Sequence, residues 1–254
     1  MTDRAPLVIA HRGGAESTPE NSAAAFEHAL TLGVDMLECD VRQTADGVLV
    51  LLHDAEIRDG DRRRSVAETS YATVTRILPW TLTLDEYFEQ FGHRAPVNVD
   101  VKAYGFEHEV VKAIQRHGLV GDGLISSTHT GSLRAMRDQE PRLTLGLSRG
   151  HFATRAPAAF TAAWLRLRAS RLLLPMIALA RADAIMLHYR VVTPDIVRRI
   201  HQSGYRVFTW TVDDGRTAER LASAGVDGIA SNRPASILNA RRPPGARTRP
   251  LAWQ

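Results

Sequence analysis

The chain of 254 residues is predicted to adopt an α/β fold, a single (β/α)8 barrel with a short hairpin or insert after the second strand. Three observations predict it. The length matches one barrel of this kind. Short apolar runs of β-forming residues alternate with stretches of helical periodicity, the pattern of a parallel sheet rather than of an antiparallel sandwich. Glycines stand where the helical stretches give way to the next apolar run, as helix C-termini require.

Taken in order, the strand candidates are Leu7 to His11, Asp35 to Val41, Val48 to His53, Val97 to Lys102, Leu124 to Ser127, Leu143 to Leu147, Ala184 to Leu187, Val207 to Trp210 and Gly228 to Ala230. A closed barrel of this type takes eight strands, so one candidate is surplus. It is Val48 to His53, because Asp46-Gly47 before it is a tight-turn signal and should fold this run back on the preceding strand as a hairpin. Asn21 and Thr193-Pro194 read as helix N-caps, and Gly33, Gly118, Gly204 and Gly225 as helix ends. Residues 1–240 are expected to form the barrel. The Arg- and Pro-rich stretch 241–254 has too little apolar content to pack and is expected to be a flexible basic tail.

Composition narrows the partners. With 44% hydrophobic and 24% charged residues, the chain can bury a substantial core. The net charge of +4 comes from arginines that are scattered or run together at Arg62, Arg63 and Arg64 and beyond Arg241, positions read as solvated loops, so nucleic acid is not the expected partner. A lone cysteine, Cys39, excludes an intramolecular disulfide framework and a thiolate metal cage, which suits a reducing, cytoplasmic setting. Leu7 to Ala10 is too short for the apolar region of a signal peptide, and no run reaches the roughly 20 apolar residues of a membrane span. A soluble protein is expected. The segment from Ala158 to Ala180, with Arg166, Arg168 and Arg171, reads as a barrel helix plus a loop, with transient contact to an anionic membrane surface as the second reading.

The chemistry-bearing residues cluster early. His11-Arg12-Gly13-Gly14 follows the first strand, and loops after strands form the catalytic face of such barrels. The two glycines allow a sharp turn and close backbone approach to an anion, and Arg12 offers a bidentate donor for phosphate oxygens. Glu38 and Asp40 lie two apart in the second strand and therefore share a face. Two adjacent acids there need a cation or ion pairs with arginines at the barrel mouth. Asp100 and Lys102 repeat the spacing in the strand from Val97, either as a salt bridge or as part of the same constellation. Three carboxylates without sulfur or nitrogen ligands form an all-oxygen set, suited to Mg2+ or Ca2+ rather than zinc. Lys102 can meet a phosphate beside such an ion. His53-Asp54 ends the hairpin and brings a second imidazole toward His11, a pair able to take and give protons near neutral pH.

The ordered run His11-Arg12-Gly13, Pro19-Glu20-Asn21, Phe26, Ala29, Gly33-Val34-Asp35, Glu38-Cys39-Asp40-Val41, Thr44, Asp46-Gly47 and His53-Asp54 resembles the glycerophosphodiester phosphodiesterase family, with relatives among the phosphatidylinositol-specific phospholipases C. Weaker agreement continues through Val99 to Lys102, Ser126-Ser127, Pro194, Val207 to Val212 and Val226 to Pro234. The resemblance implies a barrel that hydrolyses glycerophosphodiesters to glycerol 3-phosphate and an alcohol. It implies His11 and His53 as the acid/base pair, Glu38 and Asp40 as metal ligands and Arg12 and Lys102 as phosphate contacts. Glu20 matches a family acid near the metal, and Trp210 an aromatic at the barrel mouth that can pack against the glycerol.

Two positions depart from the family pattern. Asp100 stands where a glutamate is usual, and Asn232, in Ser231-Asn232-Arg233-Pro234, where an aspartate is usual. The segment 55–80 is shorter than the family's inserted subdomain, which would open the mouth to larger substrates such as lysophospholipids. Two rival readings remain at this level. One is a phospholipase D-like lyase that stops at a cyclic phosphate. The other is a catalytically silent phosphodiester-binding barrel.

Overall fold

A computed structural model describes residues 5–14, 16, 18–150 and 172–241. Eight parallel strands close into a barrel: β1 (Leu7–Ala10), β2 (Met36–Gln43), β6 (Val97–Val101), β7 (Gly123–Ser127), β8 (Leu145–Arg149), β9 (Ala184–His188), β10 (Arg206–Trp210) and β11 (Gly228–Ser231). Closure comes from β1, which pairs in parallel with β11 on one side and with β2 on the other. The surplus strand behaves as its turn demands. β3 (Leu49–Leu51) pairs antiparallel with β2, Val41 opposite Leu51, and stands outside the closed ring.

Helices α1 (Ala23–Leu32), α3 (Leu84–Phe91), α4 (Glu107–Arg116), α5 (Thr130–Gln139), α7 (Pro194–Gln202), α8 (Gly215–Ala224) and α9 (Pro234–Arg241) connect the strands. Residues 172–180 form a further helix, α6, which packs through Leu173, Ile177 and Ala180. Arg166, Arg168 and Arg171, on which the membrane-surface reading depends, lie outside the described residues, as does the tail beyond residue 241. Among the described residues no helix is long and apolar enough to cross a membrane.

The helix ends follow backbone chemistry, with one correction. Thr193 caps α7 by accepting from the Ile196 amide, and Gly33 and Gly225 end α1 and α8 in the left-handed conformation. The cap of α1 is Ser22, which accepts from the Ala25 amide, not Asn21. Asn21 has a positive φ of 57° and its side chain is engaged elsewhere. A second correction concerns the arginine run. Arg62, Arg63 and Arg64 are not a loop but form β5 (Arg62–Ser65), paired with β4 (Glu56–Asp59) in a separate two-stranded sheet. Glu56 and Asp59 offset their charge through ion pairs with Arg63 and Arg64. A short helix, α2 (Tyr71–Ile77), completes this insert, and Ile57, Val66 and Val74 pack with Val50 into a small apolar core of its own.

Alternation along the strands divides the main core. On β2, Leu37, Cys39 and Val41 face the helices, while Met36 joins Leu7, Ile9, Leu124, Ala184 and Phe208 in the barrel interior. A Cβ on Gly228 would come within 2.6 Å of the Phe208 ring, so the missing side chain makes room for that ring in the barrel. The apolar interior fills the lower part of the barrel, and polar side chains occupy its C-terminal end.

Candidate active site

The period of two that hides Met36 in the barrel carries Glu38 and Asp40 upward along the same face of β2. Both are buried. On the neighbouring strand the register sets Asp40 opposite Asp100, and one oxygen from each of Glu38, Asp40 and Asp100 lies within 4.8 Å of the others. The shorter Asp100 thus still reaches the cluster. Ser126 Oγ, one strand further, donates to Asp100 Oδ1 at 2.9 Å. Lys102 Nζ bridges Asp100 and Asp40, 2.7 Å from Asp40 Oδ1, so the salt bridge and the acid cluster are one structure.

Immediately after β1 the chain turns through His11, Arg12 and Gly13, with Arg12 and Gly13 both at positive φ. A Cβ on Gly13 would sit 2.7 Å from Ala25 Cβ, so only glycine lets the turn lie against α1. Gly13→Ala should therefore lose about 1–3 kcal/mol of stability through overpacking and displace the turn; an unchanged urea midpoint would refute this account. The turn aims the Arg12 amide at Glu38 Oε2, 2.7 Å away. The Arg12 guanidinium reaches Asp40 Oδ2 at 3.0 Å and Glu20 Oε2 at 2.8 Å. Glu20 is thus a partner of Arg12 and is not part of the acid trio.

Electrostatics separates the three buried charges. Burial and the nearby Asp40 charge push the Glu38 carboxyl well above the usual range. Burial acts the same way on Asp40, but the Lys102 and Arg12 charges outweigh it and hold Asp40 at about 2. Burial opposes charge on Lys102 as well, yet Asp100 and Asp40 raise its pKa. A divalent cation among these oxygens would offset the repulsion that Glu38 feels. A buried, all-oxygen, three-carboxylate set is the donor chemistry that hard cations take.

The imidazoles come from opposite sides. His11 lies at the end of β1, with Nδ1 2.7 Å from Asn232 Oδ1. Burial, with the Arg12 charge beside it, lowers its pKa, so the ring is neutral at neutral pH. His53 follows β3, and its Nδ1 lies 2.7 Å from Asp54 Oδ1. Arg42, on β2, donates through Nε and Nη2 to the His53 carbonyl at 2.9 and 2.7 Å, which ties the hairpin end to the barrel wall.

Two cavities adjoin here, and His53 lines both. The inner one, of about 70 Å3, is bounded by His11, Glu38, Asp100, Lys102 and Trp210 among others. Trp210 is fixed by an Nε1 bond to the Met186 carbonyl at 3.2 Å and by an edge-on contact with His188. The outer cavity, of about 510 Å3, runs under the insert, with Leu52, Ile57, Leu78 and Trp80 beside Glu56 and Arg63. The 55–80 segment thus forms one side of a groove at the mouth.

All eight candidates, His11, Arg12, Glu38, Asp40, His53, Asp100, Lys102 and Trp210, meet at this one end, and Glu20 joins through Arg12. Sequence reasoning missed four supporting residues. Asn21 clasps Asp40, donating from Nδ2 to Oδ2 and accepting the Asp40 amide on Oδ1, each at 3.1 Å. Arg42 holds His53, and Ser126 holds Asp100. Asp213 binds Asn232. The place of Asn21 directly after Glu20 was the available signal for it, and none marked Asp213.

Comparison with known proteins gives a consistent result. The sequence model of the glycerophosphoryl diester phosphodiesterase family matches residues 11–236. A glycerophosphodiester phosphodiesterase of Caldanaerobacter subterraneus subsp. tengcongensis is 31% identical, over 94% of this chain and 99% of its own length. A crystal structure of a Silicibacter pomeroyi protein, described as a putative glycerophosphoryl diester phosphodiesterase, superposes with a TM-score of 0.79 at 23% identity, covering 94% of this chain and 93% of that one. An Oleispira antarctica phosphodiesterase in complex with the product sn-glycerol-3-phosphate superposes with a TM-score of 0.76 at 23% identity, covering 93% and 96%.

Proposed function

The chain belongs to the glycerophosphoryl diester phosphodiesterase family, and from that premise we propose that it hydrolyses glycerophosphodiesters to glycerol 3-phosphate and an alcohol. The observation that carries the reading is the convergence of a buried three-carboxylate cluster and two imidazoles on one cavity. Glu38, Asp40 and Asp100 would hold a divalent ion, Mg2+ or Ca2+, which when bound supplies positive charge beside the phosphate oxygens.

The two histidines divide the proton work according to their surroundings. Neutral, buried His11 takes a proton from the attacking water. The water oxygen forms a bond to phosphorus as the bond from phosphorus to the alcohol oxygen breaks. His53, beside the carboxylate of Asp54 and at the junction of the two cavities, gives its proton to the departing alcohol oxygen. Arg12 and Lys102, already held near the site by acids, bind and orient the phosphate. Trp210 packs against the glycerol, and the outer groove receives the alcohol, with space for one larger than the glycerol itself.

Phosphorus NMR of reactions with glycerophosphocholine, glycerophosphoethanolamine, glycerophosphoinositol and lysophospholipids, each with Mg2+, Ca2+ or chelator, tests the reading. Glycerol 3-phosphate is the expected phosphorus product from the deacylated substrates. An accumulating cyclic phosphate would replace hydrolysis with transfer, and no turnover on any substrate with either metal would refute the enzyme reading.

A further inference from the structure

Asn232 occupies the position where the family pattern carries an acid, yet an acid stands directly behind it. Asp213, in the loop after β10, accepts the Asn232 backbone amide on Oδ1 at 2.8 Å, Ser231 Oγ on the same oxygen at 3.1 Å and Asn232 Nδ2 on Oδ2 at 3.1 Å. A carboxylate at neutral pH only accepts hydrogen bonds. The side of the Asn232 amide that faces Asp213 must therefore be its NH2 group. Its oxygen is then turned toward His11, and an amide oxygen also only accepts, so the His11 nitrogen at 2.7 Å must carry a hydrogen. In a neutral imidazole one nitrogen donates and the other accepts.

We propose that Asp213 is a positioning residue for the reaction: by fixing the Asn232 amide it holds the His11 proton on Nδ1 and leaves the lone pair on Nε2. The inference rests on the reading of His11 as the group that takes a proton, because only an unprotonated Nε2 can do so. Asp213 itself touches neither the phosphate nor the acid cluster. The negative charge of Asp213 thus reaches His11 through one intervening amide.

The chain of bonds can be reversed without changing its shape. In Asp213→Asn, the new carbonyl oxygen stays with the Asn232 backbone amide and its NH2 faces the Asn232 side chain. Asn232 then turns its own oxygen toward residue 213 and its NH2 toward His11, which drives the imidazole proton to Nε2. Adding Asn232→Asp restores the original order, since one oxygen of the new carboxylate accepts from the amide introduced at position 213 and the other from His11 Nδ1.

The test uses the full chain labelled with 15N-histidine at alkaline pH, where the rings are neutral, with the His11 signals identified by their loss in His11→Asn. The wild type should show the Nδ1–H form. Asp213→Asn should show the Nε2–H form, with kcat lower by about a hundredfold or more and KM within a few-fold. The double variant should regain the Nδ1–H form and most of kcat. An unchanged tautomer or unchanged kcat in Asp213→Asn would overturn the proposal, as would a double variant no better than the single one. Normal turnover by His11→Asn would instead sink the proton-acceptor reading, and the NMR result would stand apart from it.

Discussion

His11→Ala and His53→Ala should each lower turnover of a glycerophosphodiester by about 10²- to 10⁴-fold, the contribution usual for a positioned acid or base. The expected difference between them lies in the leaving group. His53 stands where the two cavities meet and is proposed to protonate the departing oxygen, so His53→Ala should lose far less on a nitrophenyl phosphodiester, whose leaving group departs without a proton. His11→Ala should lose similar amounts on both substrates, because the attacking water is the same. Equal sensitivity of the two variants to the leaving group would mean that the proton roles are wrongly assigned. Full activity in both would remove the imidazoles from the chemistry.

Withdrawal of divalent ions should lower activity by about a thousandfold, since a cation at the phosphate contributes several kcal/mol in such reactions. Stability should respond as well, and its pH dependence has a definite sign. Glu38 is raised by burial and by Asp40, so in the metal-free protein its ionised form opposes folding at neutral pH, and acidification through its raised pKa relieves that cost. Asp40 moves the other way, from 3.8 to about 2; its stabilisation is complete above 3.8 and is lost as the pH falls toward about 2. Relative to Glu38→Gln, which removes the Glu38 contribution and leaves the opposing one of His11 in both proteins, the metal-free thermal midpoint should therefore rise on mild acidification, and the Asp40 contribution should be lost on strong acidification. With Mg2+ or Ca2+ bound, the first rise should vanish. A chelator that changes neither activity nor the midpoint at neutral pH would remove the ion from Glu38, Asp40 and Asp100.

What could be read before folding depended on whether the signal was local. The eight barrel strands were legible to within a few residues, because each is a run of buried β-formers bounded by turn residues. β3 was placed correctly as a hairpin because Asp46-Gly47 dictates the reversal. The Glu38/Asp40 and Asp100/Lys102 pairs were legible since a strand puts alternate residues on one face whatever its surroundings. β5 was not, because Arg62, Arg63 and Arg64 form a strand with no apolar alternation, stabilised by acids on β4. Asn21 resembled a cap from its place before α1, but a cap requires extended backbone and its φ is 57°; the neighbouring Ser22 took the role. Asp213 was invisible for a different reason. Its partner is 19 residues away in the chain, and only the adjacency of β10 and β11 brings the two together.

His53, the proposed proton donor to the alcohol, directly follows β3, a strand outside the closed ring, and the chain continues from it straight into an insert that packs on Val50 of the same strand. The wall proposed to meet the alcohol is consequently separable in the chain: residues 55–80 can be exchanged for a longer or shorter segment without cutting any barrel strand. Grafting should retune which alcohols are accepted while the phosphate end of the reaction stays as it is, so diversification across a lineage can proceed at one surface without refolding the rest.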